Sequence, residues 1–106
     1  MKPLIIANWK MNPVSAATAR GLFRHICRGL ATVRGVEVAV APPFPYVPLL
    51  RPGRKVKLAA QDVFWEERGA YTGEVSATML RDLDVSYVII GHSERRRIFG
   101  DRKSVV

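Results

Sequence analysis

The stretch Tyr87-Val88-Ile89-Ile90-Gly91-His92-Ser93-Glu94-Arg95-Arg96 decides how this chain is read. Its first four residues form an apolar run that reads as a strand buried on both faces. A glycine ends the run, and the chain turns polar at once. A histidine, a serine and a carboxylate then stand at the C-terminal end of a buried strand, where parallel α/β folds gather ligands and chemistry. A histidine so placed has a firm position and a desolvated floor, and it can donate a hydrogen bond to a reacting oxygen. Gly-His-Ser-Glu also suits a plain strand end followed by a capped helix.

A second strand end shifts that balance. Pro3-Leu4-Ile5-Ile6-Ala7 is another short apolar run, and it closes with Asn8-Trp9-Lys10-Met11-Asn12. Alternation along an extended chain sends Asn8 and Lys10 to one side and Trp9 to the other. One strand end therefore offers an amide and an ammonium, the other an imidazole and a carboxylate. A solvated lysine or a turn asparagine is commonplace singly; chance rarely supplies both ends together.

Between these ends, strands and helices alternate. Strand one spans residues 3–8. Ala19, Leu22, Phe23, Ile26, Cys27 and Leu30 make one apolar stripe on a helix over 15–31, with Ser15 as N-cap and Gly35 as a nearby stop. Strand two spans 36–41 and ends at Pro42-Pro43. Residues 45–50 form only a short helix, because Pro48 cannot sit deep inside one. Strand three spans 56–63, a long loop covers 64–75, and Ser76 caps a helix running to Leu83. Strand four spans 86–90, a helical turn begins near Ser93, and the final residues start a further element. The β-α-β-α-β-α-β order predicts a parallel sheet with right-handed crossovers.

The composition is that of an ordinary soluble protein: 48% hydrophobic and 25% charged. No apolar run approaches the roughly 20 residues of a membrane span, and Met1-Lys2-Pro3 does not open a signal peptide. One cysteine, Cys27, excludes an internal disulfide and suits a reducing, cytoplasmic setting. The net charge of +8 raises nucleic-acid binding. However, the cations are scattered, and the aromatics are not interleaved as a stacking platform. Arg20, Arg24 and Arg28 recur every four residues on what reads as a solvated helix face. Nucleic-acid and membrane partners are therefore not expected. There is no dinucleotide fingerprint, phosphate loop or Cys–His metal spacing.

The two strand ends together resemble a known family. Ala7-Asn8-Trp9-Lys10-Met11-Asn12 and Ile89-Ile90-Gly91-His92-Ser93-Glu94-Arg95-Arg96 are similar to triosephosphate isomerase. Ala60-Gln61-Asp62-Val63 and Gly69-Ala70-Tyr71-Thr72-Gly73-Glu74-Val75-Ser76 fit the same family in the same order. The resemblance runs from residue 3 to about residue 100. It implies an α/β fold of parallel (β/α) units from a TIM barrel. Such barrels typically take about 250 residues. With 106 residues, the chain is expected to be one N-terminal portion, 1–106, holding strands one to four and truncated after the fourth.

The resemblance also implies an activity: isomerisation of dihydroxyacetone phosphate and glyceraldehyde 3-phosphate in glycolysis and gluconeogenesis, without cofactor or metal. By motif, His92 is the electrophile, Lys10 supplies positive charge, Asn8 donates to substrate oxygens, Glu94 orients the lysine, and Ser93 supports the turn. A helix beginning after His92 would keep its imidazole neutral. The family's glutamate base, its lid and its phosphate loops lie further along its chain. Glu66, Glu67 and Glu74 match none of them, so the 106 residues alone are expected to be inactive. The family is a homodimer, and Thr72, Gly73 and Glu74 match the loop that reaches a neighbouring subunit. Met11, Gln61 and Arg95 match the receiving side. The rival expectation is a non-catalytic half-barrel that associates with itself or with a complementary fragment.

Overall fold

Four parallel strands form one sheet in the order β1-β2-β3-β4, in a computed structural model that describes residues 2–100. The strands are β1 (Leu4–Asn8), β2 (Glu37–Ala41), β3 (Val56–Ala60) and β4 (Val85–Val88). Helix α1 (Ala16–Gly29) connects the first pair, a 3-10 helix (Phe44–Leu49) the second, and α2 (Ala77–Asp82) the third. Helix α3 (Ser93–Ile98) follows β4. The register pairs Leu4 with Glu37, Val38 with Val56 and Leu58 with Val85, with an irregularity between Leu58 and Ala59. This is an α/β fold of parallel units, the architecture of a partial TIM barrel. The element that was expected to begin at the end of the chain lies outside the described residues.

The two sheet faces differ in side-chain size. On one, Val40, Val56 and Leu58 meet Phe23 of α1 and Val47 and Leu50 of the 3-10 helix segment, all buried. Trp9, Ile26, Cys27, Leu30 and Val85 pack round this cluster. Fully burying a side chain such as Leu58 is worth roughly 1.5–3 kcal/mol. On the other face Ala39, Ala41 and Ala59 are buried, with Ile6, Tyr87 and Ile89 packed against them. Ile6 belongs to β1, and Tyr87 and Ile89 belong to β4 and its extension. The outer strands therefore share one alanine cluster, and the sheet is curled with this face concave. Tyr87 also reaches across to donate its hydroxyl to Glu37 Oε1 at 2.5 Å. That bond, then burial and the Glu37 charge, raise the Tyr87 pKa.

Helix boundaries follow side-chain chemistry. Ser15 caps α1 by accepting from the Thr18 N–H, and Ser76 caps α2 by accepting from the Met79 N–H. Helix α1 ends earlier than residue 31, at Gly29, with Leu30 as C-cap donating to Ile26 O. Gly35 is not its stop; it takes a left-handed φ of 82° in the turn entering β2. Leu22, expected in the buried stripe, is 39% exposed, because the 3-10 helix packs over Phe23 and leaves the neighbouring flank of α1 open. Cys27 packs against the core, and burial pushes its thiol pKa up.

Strands three and four differ from the sequence expectation. Strand three ends at Ala60, not at residue 63. Strand four runs Val85–Val88, although the Ile89 N–H still donates to Ala60 O at 2.9 Å. It is not buried on both faces: β4 is an edge strand, and Ile90 is 56% exposed. The other edge is β1, where Ile5 is also 56% exposed. An apolar run reports that a strand belongs inside a sheet, but not whether a neighbouring strand is present.

Candidate functional site

Parallel strands all deliver their C-terminal ends to one edge of the sheet, and all four ends meet here. After β1, Lys10 holds a left-handed backbone with φ of 58°. That conformation is uncommon for a long side chain, and two hydrogen bonds fix it. The Lys10 N–H donates to Asn8 Oδ1 at 2.9 Å. Its carbonyl accepts from Gln61 Nε2 at 2.7 Å, and the same Nε2 donates to Ala41 O at 2.8 Å. Gln61 follows β3, so one amide ties together the ends of β1, β2 and β3.

The pinned lysine reaches the fourth strand end. Lys10 Nζ lies 2.6 Å from Glu94 Oε1. Gly91, with φ of 61°, makes the sharp exit from β4 that a larger residue would resist. His92 then caps α3, its Nδ1 accepting from the Glu94 N–H at 3.1 Å. Glu94 Oε2 is 3.8 Å from the same Nδ1, an ion pair only for a protonated ring. An Nδ1 that accepts a hydrogen bond carries no proton, so the geometry assigns the neutral tautomer with the proton on Nε2. The imidazole thus keeps one donor, and Glu94 holds both the lysine and the histidine.

The hydrogen bond from Lys10 holds the Glu94 carboxyl below its ordinary pKa. Partial burial opposes this, while the charges of Lys10 and Arg97 reinforce it; a His92 charge would add to it only for the protonated ring. Arg95 Nη2 lies 3.3 Å from Asp62 Oδ2 and stacks 4.8 Å above the Phe99 ring, which anchors α3 to the end of β3. Beneath the polar groups, Ala41, Ala59, Ile6 and Ile89 make an apolar floor. The arrangement offers an ammonium, an imidazole donor and, on Asn8, an amide whose Nδ2 makes no hydrogen bond among the described residues. Those are the parts needed to bind an anion and stabilise charge on an oxygen.

Lys10, Asn8, His92 and Glu94 therefore converge, with Ser93 as the first residue of α3. The residues matched to a subunit contact separate into two groups. Thr72, Gly73 and Glu74 lie exposed on the loop after β3, and Met11 is 88% exposed. The loop is closed at its base by the Phe64 N–H donating to Val75 O at 2.8 Å and stiffened by Phe64 and Tyr71, ring centroids 4.6 Å apart. At Gly69, with φ of 141°, a Cβ would meet the Tyr71 ring at 2.8 Å. Gln61 and Arg95 are instead engaged within the chain. The bridge made by Gln61 was not foreseen from sequence, although its place directly after a strand marks it as a third strand-end polar group. Among the described residues, no group of His, Cys, Asp and Glu could hold a metal ion, and no helix is long and apolar enough to cross a membrane.

The family model described as triosephosphate isomerase matches residues 3–106. The triosephosphate isomerase of Carboxydothermus hydrogenoformans is 46% identical over 110 residues, covering 99% of this chain and 43% of that protein. That of Geotalea uraniireducens is 45% identical over 108 residues, with the same two shares. That of Pelobacter propionicus is 48% identical over 102 residues, covering 93% of this chain and 40% of the relative. The chain thus spans well under half the length of these relatives.

Proposed function

The chain belongs to the triosephosphate isomerase family, and on that premise we propose that residues 1–106 are strands one to four of an enzyme interconverting dihydroxyacetone phosphate and glyceraldehyde 3-phosphate. The observation that carries this reading is the Lys10–Glu94 pair with His92 beside it, joining the ends of β1 and β4. The reaction removes a proton next to a carbonyl and builds negative charge on its oxygen. The family is itself the standing example of a glutamate base working with a neutral histidine. Here His92 Nε2–H donates to that oxygen. Lys10 balances the developing charge and attracts the phosphorylated substrate, and Asn8 Nδ2 donates to a substrate oxygen. Glu94 orients both Lys10 and His92. The proton-abstracting glutamate and the phosphate-binding loops belong to the part of the barrel that these residues do not cover. No cofactor enters the scheme.

A homodimer goes with the same reading, with Thr72 at the tip of the reaching loop and Met11 on the receiving surface. So does a cytoplasmic role in glycolysis and gluconeogenesis. A second reading concerns the 106 residues taken alone: a half-barrel without catalysis. It is favoured by the apolar side chains exposed at both sheet edges, Leu4, Ile5 and Ile90.

A coupled triose phosphate assay tests both. The 106-residue chain should show no turnover, since general-base catalysis alone is worth about 10²–10⁴-fold and lost positioning costs more. Joined to the rest of a family barrel it should turn over, and His92→Gln should cut kcat by about 10²-fold or more. Turnover by the 106 residues alone that His92→Gln abolishes would overturn the division of labour. Activity of the joined protein that ignores both His92→Gln and Lys10→Met would overturn the site.

A further inference from the structure

One feature that the strand-end site leaves unexplained is a groove of about 400 Å³ on the opposite, helical side of the sheet. Arg20, Arg24 and Arg28 line it from α1, Arg51 lines it from beyond the 3-10 helix, and Cys27 and Leu49 contribute its apolar part. No carboxylate lines it. None of the four arginines makes an ion pair among the described residues. Helix α1 carries no acidic residue anywhere along Ala16–Gly29, so nothing a turn away neutralises the row.

Solvation alone accounts poorly for this arrangement. Cations four residues apart on a helix repel one another, and the first and last of this row stand about 12 Å apart along the axis. They do not point away from the protein: they rim a groove that Arg51 closes from the facing element. Arginine presents a planar fork of donors that matches carboxylates in pairs. A second copy of this chain is a poor occupant, because each carries a net charge of +8.

We infer that this groove is a docking surface for an acidic peptide segment of a partner protein, with carboxylates about one helical turn apart and an apolar side chain seated against Leu49. Charge complementarity commits the choice. The row of guanidinium groups fits a repeated acidic pattern along one side of a segment, and the small apolar floor takes one or two side chains. The surface lies away from Lys10 and His92, so its occupancy is independent of the isomerase reading.

The test uses the 106-residue chain and a fluorescein-labelled helical peptide bearing Glu at every fourth residue and Leu on the adjoining face, followed by anisotropy. A matched peptide with Gln for Glu is the control. The Glu peptide should bind and weaken as salt rises, and the Gln peptide should not bind. Arg24→Glu with Arg28→Glu should weaken binding by about tenfold or more. Arg51→Glu, which leaves α1 untouched, should also weaken it, with unchanged far-UV circular dichroism. Cys27 is the sole cysteine, so its maleimide labelling reads occupancy directly and should slow when the Glu peptide is bound. Equal binding of the two peptides, binding that survives these charge reversals, or unprotected Cys27 would each overturn the proposal. So would protection of Cys27 by tripolyphosphate but not by the peptide, which would make the groove a site for small polyanions.

Discussion

Lys10 and Glu94 form a 2.6 Å ion pair although they follow the two strands that lie furthest apart in the sheet. In a flat sheet three strand spacings would hold β1 and β4 about 14 Å apart. The curl that brings Ile6 and Ile89 onto one alanine cluster also brings these strand ends within reach. The pair therefore reports on the curvature of the whole sheet as well as on local chemistry.

Glu94 should titrate below the ordinary glutamate value of about 4.3, because the Lys10 ammonium stabilises its charged form. A depressed folded-state pKa gives stability that is complete above the unfolded value and is lost as pH falls through the lower, folded one. Carbon-detected NMR of the side-chain carboxyl measures the midpoint. Lys10→Met should move it upward. A wild-type midpoint at or above the ordinary value would refute the pairing.

Replacing Gln61 by Leu should destabilise the fold by about 1–3 kcal/mol. The amide donates to two carbonyls, of Lys10 and Ala41, in a half-buried setting. Lys10 should then relax from its left-handed backbone, and Glu94 should titrate closer to the ordinary range. Urea unfolding should show a lower midpoint with the slope unchanged. An unaltered midpoint would mean that water replaces the bridge at no cost.

Much of this arrangement was legible in the sequence. Short apolar runs marked all four strands, and Ser15 and Ser76 marked two helix starts. Strand-end position alone grouped Lys10 with His92. What escaped depends on contacts between distant segments. The apolar runs at β1 and β4 overstated burial, since Ile5 and Ile90 lie on edges that no local pattern reveals. Gln61 was read only as a subunit contact, because its two acceptors come from other strands. The left-handed Lys10 escaped in part for the same reason: its N–H bonds locally to Asn8, but the bond that pins its carbonyl comes from Gln61, beyond β3.

Leu58 and Leu22 make a contrasting pair. Leu58 is fully buried at the centre of the helical-face core, whereas Leu22 is partly exposed on α1. Leu58→Ala should cost about 2–5 kcal/mol. Leu22→Ala should cost much less, nearer the roughly 0.5 kcal/mol of a surface change. Chemical denaturation of both variants checks this. Equal losses would return Leu22 to the buried stripe that the helical periodicity predicted.

The 106-residue chain should self-associate more as salt rises. Among the described residues the outer flanks of β1 and β4 are unpaired, and Leu4, Ile5 and Ile90 lie exposed there. The net charge of +8 opposes contact only at low ionic strength, since screening shortens its reach to about 8 Å at physiological salt. Sedimentation velocity at low and high salt decides. A stable monomer under both conditions would show that these edges are protected.

The alanines of the concave face have a consequence for the width of the site. Ala39, Ala41 and Ala59 do not belong to the polar cluster, yet their small size lets Ile6 and Ile89 draw together above them. Volume added at these positions would be converted into angle. A valine at Ala39 would act as a spacer in the bend, opening the mouth between Lys10 and His92 while leaving every polar group intact. The calibre of the site is thus set by residues that carry no chemistry of their own, and specificity for a small ligand could drift through substitutions that an inspection of the polar groups would pass over.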